Sequence, residues 1–425
     1  MEGHRPALGI LRVGSMLGRW MPPWIGACIA SLAVAAGLAS ASQAQEATSA
    51  KAPPPQEPGY LEPASDPVLG TAFVRITTPG REISAQTACG LDYCRHRYSS
   101  AQAWNADQSL LVITAGCPGF CFLDGKEYVP LFWRPSSRAE CEWHPTDPTL
   151  MICVTNKEIY SWEVRKDIKR PIYNSQDYTG LRFGPSKGNL SLDGAKLAVR
   201  GVNRLGEEVV FAYDIAESKK YPDIKLSALK GANSYCTIAP SGRFIFCYQE
   251  HTEDANAAYV LTLDGGLVQH WPEHHRPGHG DLTVDADGRD IYVGISKSDP
   301  DKFHVIKRRL EDGVVTNLLT RSSAQHVSAR NIKRPGWVFV TFGPSVPTGR
   351  RAKGWAPYIQ EIAALRLDGS GLLREIVHTQ SAKHNYWSEA HASPSPDGSQ
   401  VIWASNWGRP GGPVSSYVAR VIWEP

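Results

Sequence analysis

The chain has 425 residues, and its 45 Lys and Arg set against 42 Asp and Glu leave a formal net charge of +3. So even a balance offers no electrostatic footprint for nucleic acid. With 42% hydrophobic residues the chain can fill a large core, and its composition is neither fibrous nor disordered.

In chain order, the first segment is an address. Arg5, Arg12 and Arg19 form a basic leader, and after Trp24 an uncharged apolar run, Ile25 to Leu38, ends in small residues. Ala39-Ser40-Ala41 and Ser42-Gln43-Ala44 both suit a signal peptidase pocket, so residues 1–44 read as a cleaved secretory signal. The competing reading, an uncleaved anchor, is disfavoured because the run falls short of the roughly 20 apolar residues that cross a bilayer. No membrane partner is expected once the signal is removed, and the expected location is the periplasm or the external medium. Residues 45–66, with Pro53-Pro54-Pro55, read as a stiff, solvated linker. Residues 67–425 remain for one folded domain.

Nine cysteines are present, and Cys28 leaves with the signal. An even set of eight in an oxidising compartment implies disulfides. Ser241-Gly242 sits midway between Cys236 and Cys247, which places the two directly across a hairpin ladder. Cys141 and Cys153 flank a Pro-Thr-Asp-Pro turn in the same way. A zinc site from the Cys117-x3-Cys121 spacing is the weaker reading, because extracytoplasmic thiols usually oxidise.

The rest is written in strands, short runs of Val, Ile, Phe, Tyr and Trp between Gly, Pro, Asn and Asp turns. One phrase recurs, a tight turn followed by a strongly apolar strand. Its copies turn at Asp107, Asp147, Asp193, Ser241, Asp287, Pro335 and Asp397, with spacings of 40, 46, 48, 46, 48 and 62 residues. A period in the forties with about four strands per unit marks a propeller blade. The expected fold is therefore all-β, a single seven-bladed β-propeller of four-stranded blades. Insertions around Pro344–Pro357 and Thr379–Ser388 account for the long last spacing. Closing the ring requires the ends to share a blade, so a strand near Phe73–Thr77 is expected to pair with Tyr417–Trp423.

Innermost strands line a propeller's axis, so the residues before each turn phrase are expected to converge. These are His96, Arg97, Tyr98 and Gln102; Glu140 and Glu142; Asn189; Asn233 and Tyr235; His279 and Asp281; His326 and Arg330; and Tyr386, Glu389 and His391. Four blades thus offer a histidine. Trp104, Trp143, Trp337, Trp403 and Trp407 recur at blade positions and read as core, while His270, Trp271, His274 and His275 read as a surface loop.

Cys94-Arg-His96-Arg97-Tyr98, running on to Asn105-Ala-Asp107, resembles the first blade of secreted or periplasmic oligogalacturonate lyases. The terminal His391-Ala-Ser-Pro-Ser-Pro-Asp397-Gly, continuing to Ala404-Ser405-Asn406-Trp407-Gly408, is similar as well. The generic Ser-Pro-Asp-Gly phrase also occurs in TolB-like propellers, and more loosely in WD40-like ones. The resemblance implies β-elimination on a uronic-acid oligo- or polysaccharide, with a divalent metal held near the axis. By motif, His326 and His391 match metal-binding histidines. Glu389 stands where those lyases have another histidine, and Tyr386 where they have glutamine. A carboxylate serves Mn²⁺ or Ca²⁺, so His326, Glu389 and His391 form the expected ligand set.

β-Elimination removes the proton beside a sugar carboxylate, so a cation must neutralise that carboxylate: the metal, or an arginine such as Arg330 or Arg97. His96 or His279 is the expected base and Tyr98 or Tyr386 the acid, with Asp281 orienting an imidazole. Gln102 completes the expected substrate-binding set. Bland readings stand beside these. His279 could tie blades together, His391 could be a structural hydrogen-bonding residue, His96 could lie on a solvated loop, and Arg330 could only hold the channel wall. Two other functions fit the pattern: a non-catalytic propeller binding a glycan or partner protein, and a glycoside hydrolase using Glu142 and Glu389.

Overall fold

The computed structural model describes residues 55–84, 87–135, 139–183, 188–230, 235–248, 257–344 and 356–423. The proposed signal, Asn233 and most of the Pro344–Pro357 insertion lie outside these residues. Seven antiparallel sheets follow one another in chain order as the blades of a propeller. Blades 2, 4, 5 and 6 have four strands each, spanning Glu140–Asn174, Tyr235–Trp271, Gly280–Leu319 and Ala324–His378. In blade 1 (Leu110–Pro135) the innermost strand is reduced to a bridge from Trp104 to Leu111. Blade 3 (Tyr178–Lys225) splits its innermost strand between Tyr178–Arg182 and a bridge from Leu190 to Leu197.

Successive side chains of a strand point to opposite faces, and each blade is covered on both. Seven apolar clusters result, one between each consecutive pair of blades. Ile291 and Val293 of blade 5 pack toward blade 6, whereas Tyr292 between them packs toward blade 4. The ring is closed by the cluster that joins Ile402 and Val418 of blade 7 to Trp104, Leu111 and Ile113 of blade 1. Of the recurrent tryptophans, Trp104, Trp143, Trp403 and Trp407 are core and Trp337 packs against it partly buried.

Closure is as expected. Ala72–Arg75 adds to the last strand, Val414–Arg420, with Phe73 opposite Ala419 and Arg75 opposite Tyr417. The strap continues outward as Pro63–Ser65, which pairs back on Ala72–Val74. Composition alone assigned residues up to 66 to a linker, yet from Pro55 onward they pack on the propeller. Glu57 bonds Arg75 and Tyr417, and Trp407 donates to the Pro55 carbonyl.

All eight cysteines are paired. Cys236–Cys247 and Cys141–Cys153 lie directly across their hairpins, as the spacing predicts. Cys117 is bonded to Cys121, which removes the zinc reading, and Cys89 to Cys94. The disulfides suit an extracytoplasmic protein. Among the described residues no helix is long and apolar enough to cross a membrane. His270 and Trp271 belong to the outer strand of blade 4 rather than a loop, and Trp271 is buried.

The axis differs from the expected open channel. Tyr98–Gln102 does not line it as a strand but turns inside it. The Ser99 carbonyl accepts from Ser328 of blade 6, that of Ser100 from Asn189 of blade 3, and that of Ala101 from Ser393 of blade 7. These backbone groups find partners on different blades, which satisfies them inside the ring and stoppers it.

The strap has a titratable anchor. Buried Asp66 accepts from the His378 backbone N–H at 2.7 Å and from its ring Nδ1 at 2.9 Å, tying the strap to the edge of blade 6. Glu361 and Glu375 add negative charge beside the ring. The Asp66 hydrogen bond raises the His378 pKa above 6.5. Against the cost of burial, the His378 bonds hold the Asp66 carboxyl down to about 2. The imidazolium's stabilisation is complete below the unfolded imidazole value and lost as pH rises through the raised one. That of the carboxylate is present above 3.8 and lost as pH falls toward 2. Thermal melts from pH 5 to 9 should show the wild type losing stability, relative to His378→Gln, as pH climbs past neutrality.

Candidate functional site

Three blades and the axial stopper supply one cluster. His279 precedes the innermost strand of blade 5, His326 lies within that of blade 6, and His391 leads into that of blade 7. Their rings form a stack, with His279 to His326 centroids 4.7 Å apart and His326 to His391 4.2 Å apart. Tyr98 reaches in from the axis, its ring 4.9 Å from His391. The Thr379–Ser388 insertion ends in a single 3-10 turn, Tyr386–Ser388, capped by Asn385, and this turn places Tyr386 over the stack.

Hydrogen bonds set the tautomers. His391 Nε2 lies 2.8 Å from the Tyr386 carbonyl, which can only accept, so Nε2 carries the proton and Nδ1 the lone pair. That Nδ1 is buried and has no hydrogen-bond partner. Burial, then the neighbouring His326 and Arg95, pushes the His391 pKa far below its ordinary value, so the ring is neutral. Its backbone sits in the left-handed region, at φ 47°. The conformation is held by His96, whose Nε2 donates to the His391 carbonyl at 2.6 Å. Strain of this kind, of order 1–3 kcal/mol, persists where surrounding bonds over-determine it and clusters at functional sites.

His326, with 0% exposure, points Nε2 at a Glu389 carboxylate oxygen 2.8 Å away, and the other oxygen of Glu389 accepts from Lys383 at 2.7 Å. One ligand atom from each of His326, Glu389 and His391 lies within 4.8 Å of the others. Two imidazoles, a carboxylate and an orphaned lone pair form a donor set fit for a divalent ion, and the imidazoles favour a transition ion such as Mn²⁺ over oxygen-seeking Ca²⁺.

At the mouth, His279 donates from Nδ1 to the Gln325 carbonyl at 2.8 Å, which leaves the lone pair on Nε2. Tyr386, 37% exposed, holds its hydroxyl 2.6 Å from that of Tyr98. Burial lifts the Tyr386 pKa to about 12, while the bond from Tyr98 works in the opposite direction. Burial and Tyr386 raise Tyr98 much further, so Tyr98 donates and Tyr386 is the more acidic of the pair.

The other expected residues lie elsewhere. His96 is fully enclosed, and burial followed by the Arg95 charge drives its pKa down to about 3. Arg330 donates through Nε and Nη2 to both oxygens of Asp281, at 2.8 and 2.9 Å. Asp281 thus orients no imidazole; the pair joins blade 5 to blade 6. Gln102 bonds the Arg330 carbonyl and the Trp104 N–H, a structural role. Arg97 is committed to Glu142 and the Cys141 carbonyl. That pairing also takes up Glu142, which lines a different cavity from Glu389 and removes the hydrolase's carboxylate pair.

Sequence reasoning gave no role to Trp387, which is 47% exposed, stacks 6.1 Å from His391 and is backed by the Arg95 guanidinium 5.0 Å from its ring. It also missed Lys383 and Lys297. An aromatic run beside a histidine was the available signal for Trp387; the lysines carry none.

No family model matches the chain, and no curated protein matches it by sequence. Solved structures do. An oligogalacturonate lyase in complex with manganese matches with a TM-score of 0.58 at 13% identity, over 85% of this chain and 96% of that one. An oligogalacturonate lyase from Vibrio parahaemolyticus matches with a TM-score of 0.56 at 12% identity, over 85% and 96%. The WD40 domain of Neurospora crassa Pan2 matches with a TM-score of 0.50 at 12% identity, over 83% and 95%. These likenesses are in fold: the chain is a seven-bladed propeller of the kind that lyases and WD40 proteins share.

The Arg330–Asp281 assignment is open to test. Arg330→Ala strands a buried carboxylate and should cost roughly 3–5 kcal/mol of stability in denaturant unfolding. A substrate-binding arginine on an open wall would cost far less.

Proposed function

We propose that this chain is a periplasmic or secreted lyase that cleaves uronic-acid-containing oligo- or polysaccharides by β-elimination, and that residues 1–44 are its export signal. The observation that carries the reading is the orphaned, buried Nδ1 of His391 inside the His326–Glu389–His391 set, beside a base and an acid in suitable tautomers. The fold likeness to a lyase crystallised with manganese supports it.

His326, Glu389 and His391 would hold the metal, which when bound supplies positive charge to neutralise the substrate carboxylate. His279 takes the C5 proton of the uronate on Nε2, its imidazole held by the bond from Nδ1 to Gln325. The electron pair forms the C4–C5 double bond as the C4–O bond breaks, and Tyr386 donates its proton to the departing oxygen. With a pKa of about 12, Tyr386 enters each turnover protonated at neutral pH. Tyr98 positions Tyr386 by donating to it, and His96 positions His391 through its carbonyl. Trp387 offers an apolar platform for a sugar ring.

A second reading, a glycan- or protein-binding propeller without chemistry, draws on the commitment of Arg97 and Arg330 to internal partners.

An ultraviolet screen over pectic, alginate-like, glucuronan and ulvan substrates should detect the unsaturated uronate chromophore. His279→Ala and Tyr386→Phe should each lower kcat about 10²–10⁴-fold. Reducing ends without the chromophore would mean hydrolysis, and binding without either would mean the second reading. Calorimetric titration with Mn²⁺ should show one site in the wild type, weakened more than about 100-fold by Glu389→Gln, beyond the roughly 10–100-fold that outer-sphere changes usually cost.

A further inference from the structure

Lys297 follows the second strand of blade 5, Asp290–Ile295, directly beside the hairpin partner that carries His279. Ile295 donates to the His279 carbonyl, and the Lys297 N–H to that of Arg276. The lysine stem lies across Gly278, the residue before His279. A Cβ at Gly278 would stand 2.5 Å from Lys297 Cε and 3.0 Å from Cγ, so only glycine leaves the stem room. This half-buried side chain ends near enough to the site to feel the Glu389 carboxylate.

Among the described residues the ammonium makes no hydrogen bond or ion pair. Lys383, another cation near the site, is already paired with Glu389. Desolvation, with repulsion from Lys302, holds the Lys297 pKa below its ordinary value against the pull of Glu389. A partly buried cation without a partner costs folding energy.

The geometry points to Lys297 as a receptor for the sugar carboxylate, a charged subsite beside His279 that distinguishes a uronate from its neutral counterpart. This deepens the proposed lyase reading and rests on it for the identity of the sugar. The role is one of binding and orientation. An ammonium beside the base would place the carboxylate, and hence the adjacent C–H, next to His279, and it supplies the protein-borne cation that Arg97 and Arg330 cannot.

The test is equilibrium binding of galacturonate, which lacks a glycosidic leaving group, and of its neutral methyl ester, to the full-length manganese-loaded protein. The wild type should prefer the anion at least about tenfold, the scale of one charge-assisted hydrogen bond. Lys297→Met keeps the apolar stem and should lower that preference about tenfold, leaving only the share owed to the metal, while Lys297→Arg should restore part of it. Lys297→Met should also melt at the same or a higher temperature, since it removes a cation that folding must desolvate. A wild type without anion preference, or a Lys297→Met protein that keeps it undiminished, overturns the subsite. So does a Lys297→Met protein that melts lower and loses both ligands equally, because that marks a structural ion pair. The lyase reading fails separately. A Lys297-dependent preference without any unsaturated product sinks elimination alone, and undiminished product from Lys297→Met with low substrate sinks the subsite alone.

Discussion

Everything in this molecule depends on the closure of the ring. His279, His326, His391 and Tyr98 are spread over some three hundred residues of chain, and no local preference brings them together. They meet because blades 5, 6 and 7 stand side by side, and because blade 7 borrows Ala72–Arg75 before the chain enters the axis. The borrowed strand removes the exposed edge that a propeller of open sheets would present. It also fixes where Tyr98 arrives, since the segment from Cys94 to Gln102 is strung between that strand and blade 1. Parallel pairing of Tyr93–Cys94 with Val414–Ser415, and the bond from His96 to His391, make closure and site one construction.

The axial stopper and the site are likewise two consequences of one choice. A ring of seven sheets leaves a central space that must be filled with water or protein. Here a turn of backbone occupies it, its carbonyls satisfied by Ser328, Asn189 and Ser393. The low-dielectric floor this creates accounts for the electrostatics above it. The His96 and His391 imidazoles resting on it are kept neutral by desolvation, and a neutral imidazole is what metal binding requires. One ring nitrogen of His391 is tied down by a carbonyl and the other left bare, as a metal ligand's second shell would arrange it.

Much of this was legible in the chain because it rests on period and turn chemistry. Seven turn phrases at a blade-length spacing yield the blade count. In five of them a glycine occupies the positive-φ position, and Gln108 takes that conformation in the first. The two hairpin disulfides follow from ladder symmetry, whereas Cys89–Cys94 and Cys117–Cys121 span irregular backbone with no register to count from. What period cannot convey is which partner a charged side chain chooses. Arg330 and Asp281 stand in different blades and meet through packing, so reading each as a binding residue was reasonable and the structure gives both an internal use. The same holds for Arg97, Gln102 and His96. Alternation likewise cannot separate a strand that lines an axis from a turn that blocks it, which is why Tyr98–Gln102 was read as a wall. Lys297 sits just outside the repeat phrase and carries no pattern at all.

The claim under all of this is that three blades assemble a metal-competent centre at one mouth of the ring. Anomalous diffraction at the manganese absorption edge, from crystals grown with Mn²⁺, addresses it most directly. The account predicts a single strong peak bounded by His391 Nδ1, a ring nitrogen of His326 and the Glu389 carboxylate. Full manganese occupancy at some other place, or none while these side chains remain as described, would contradict it.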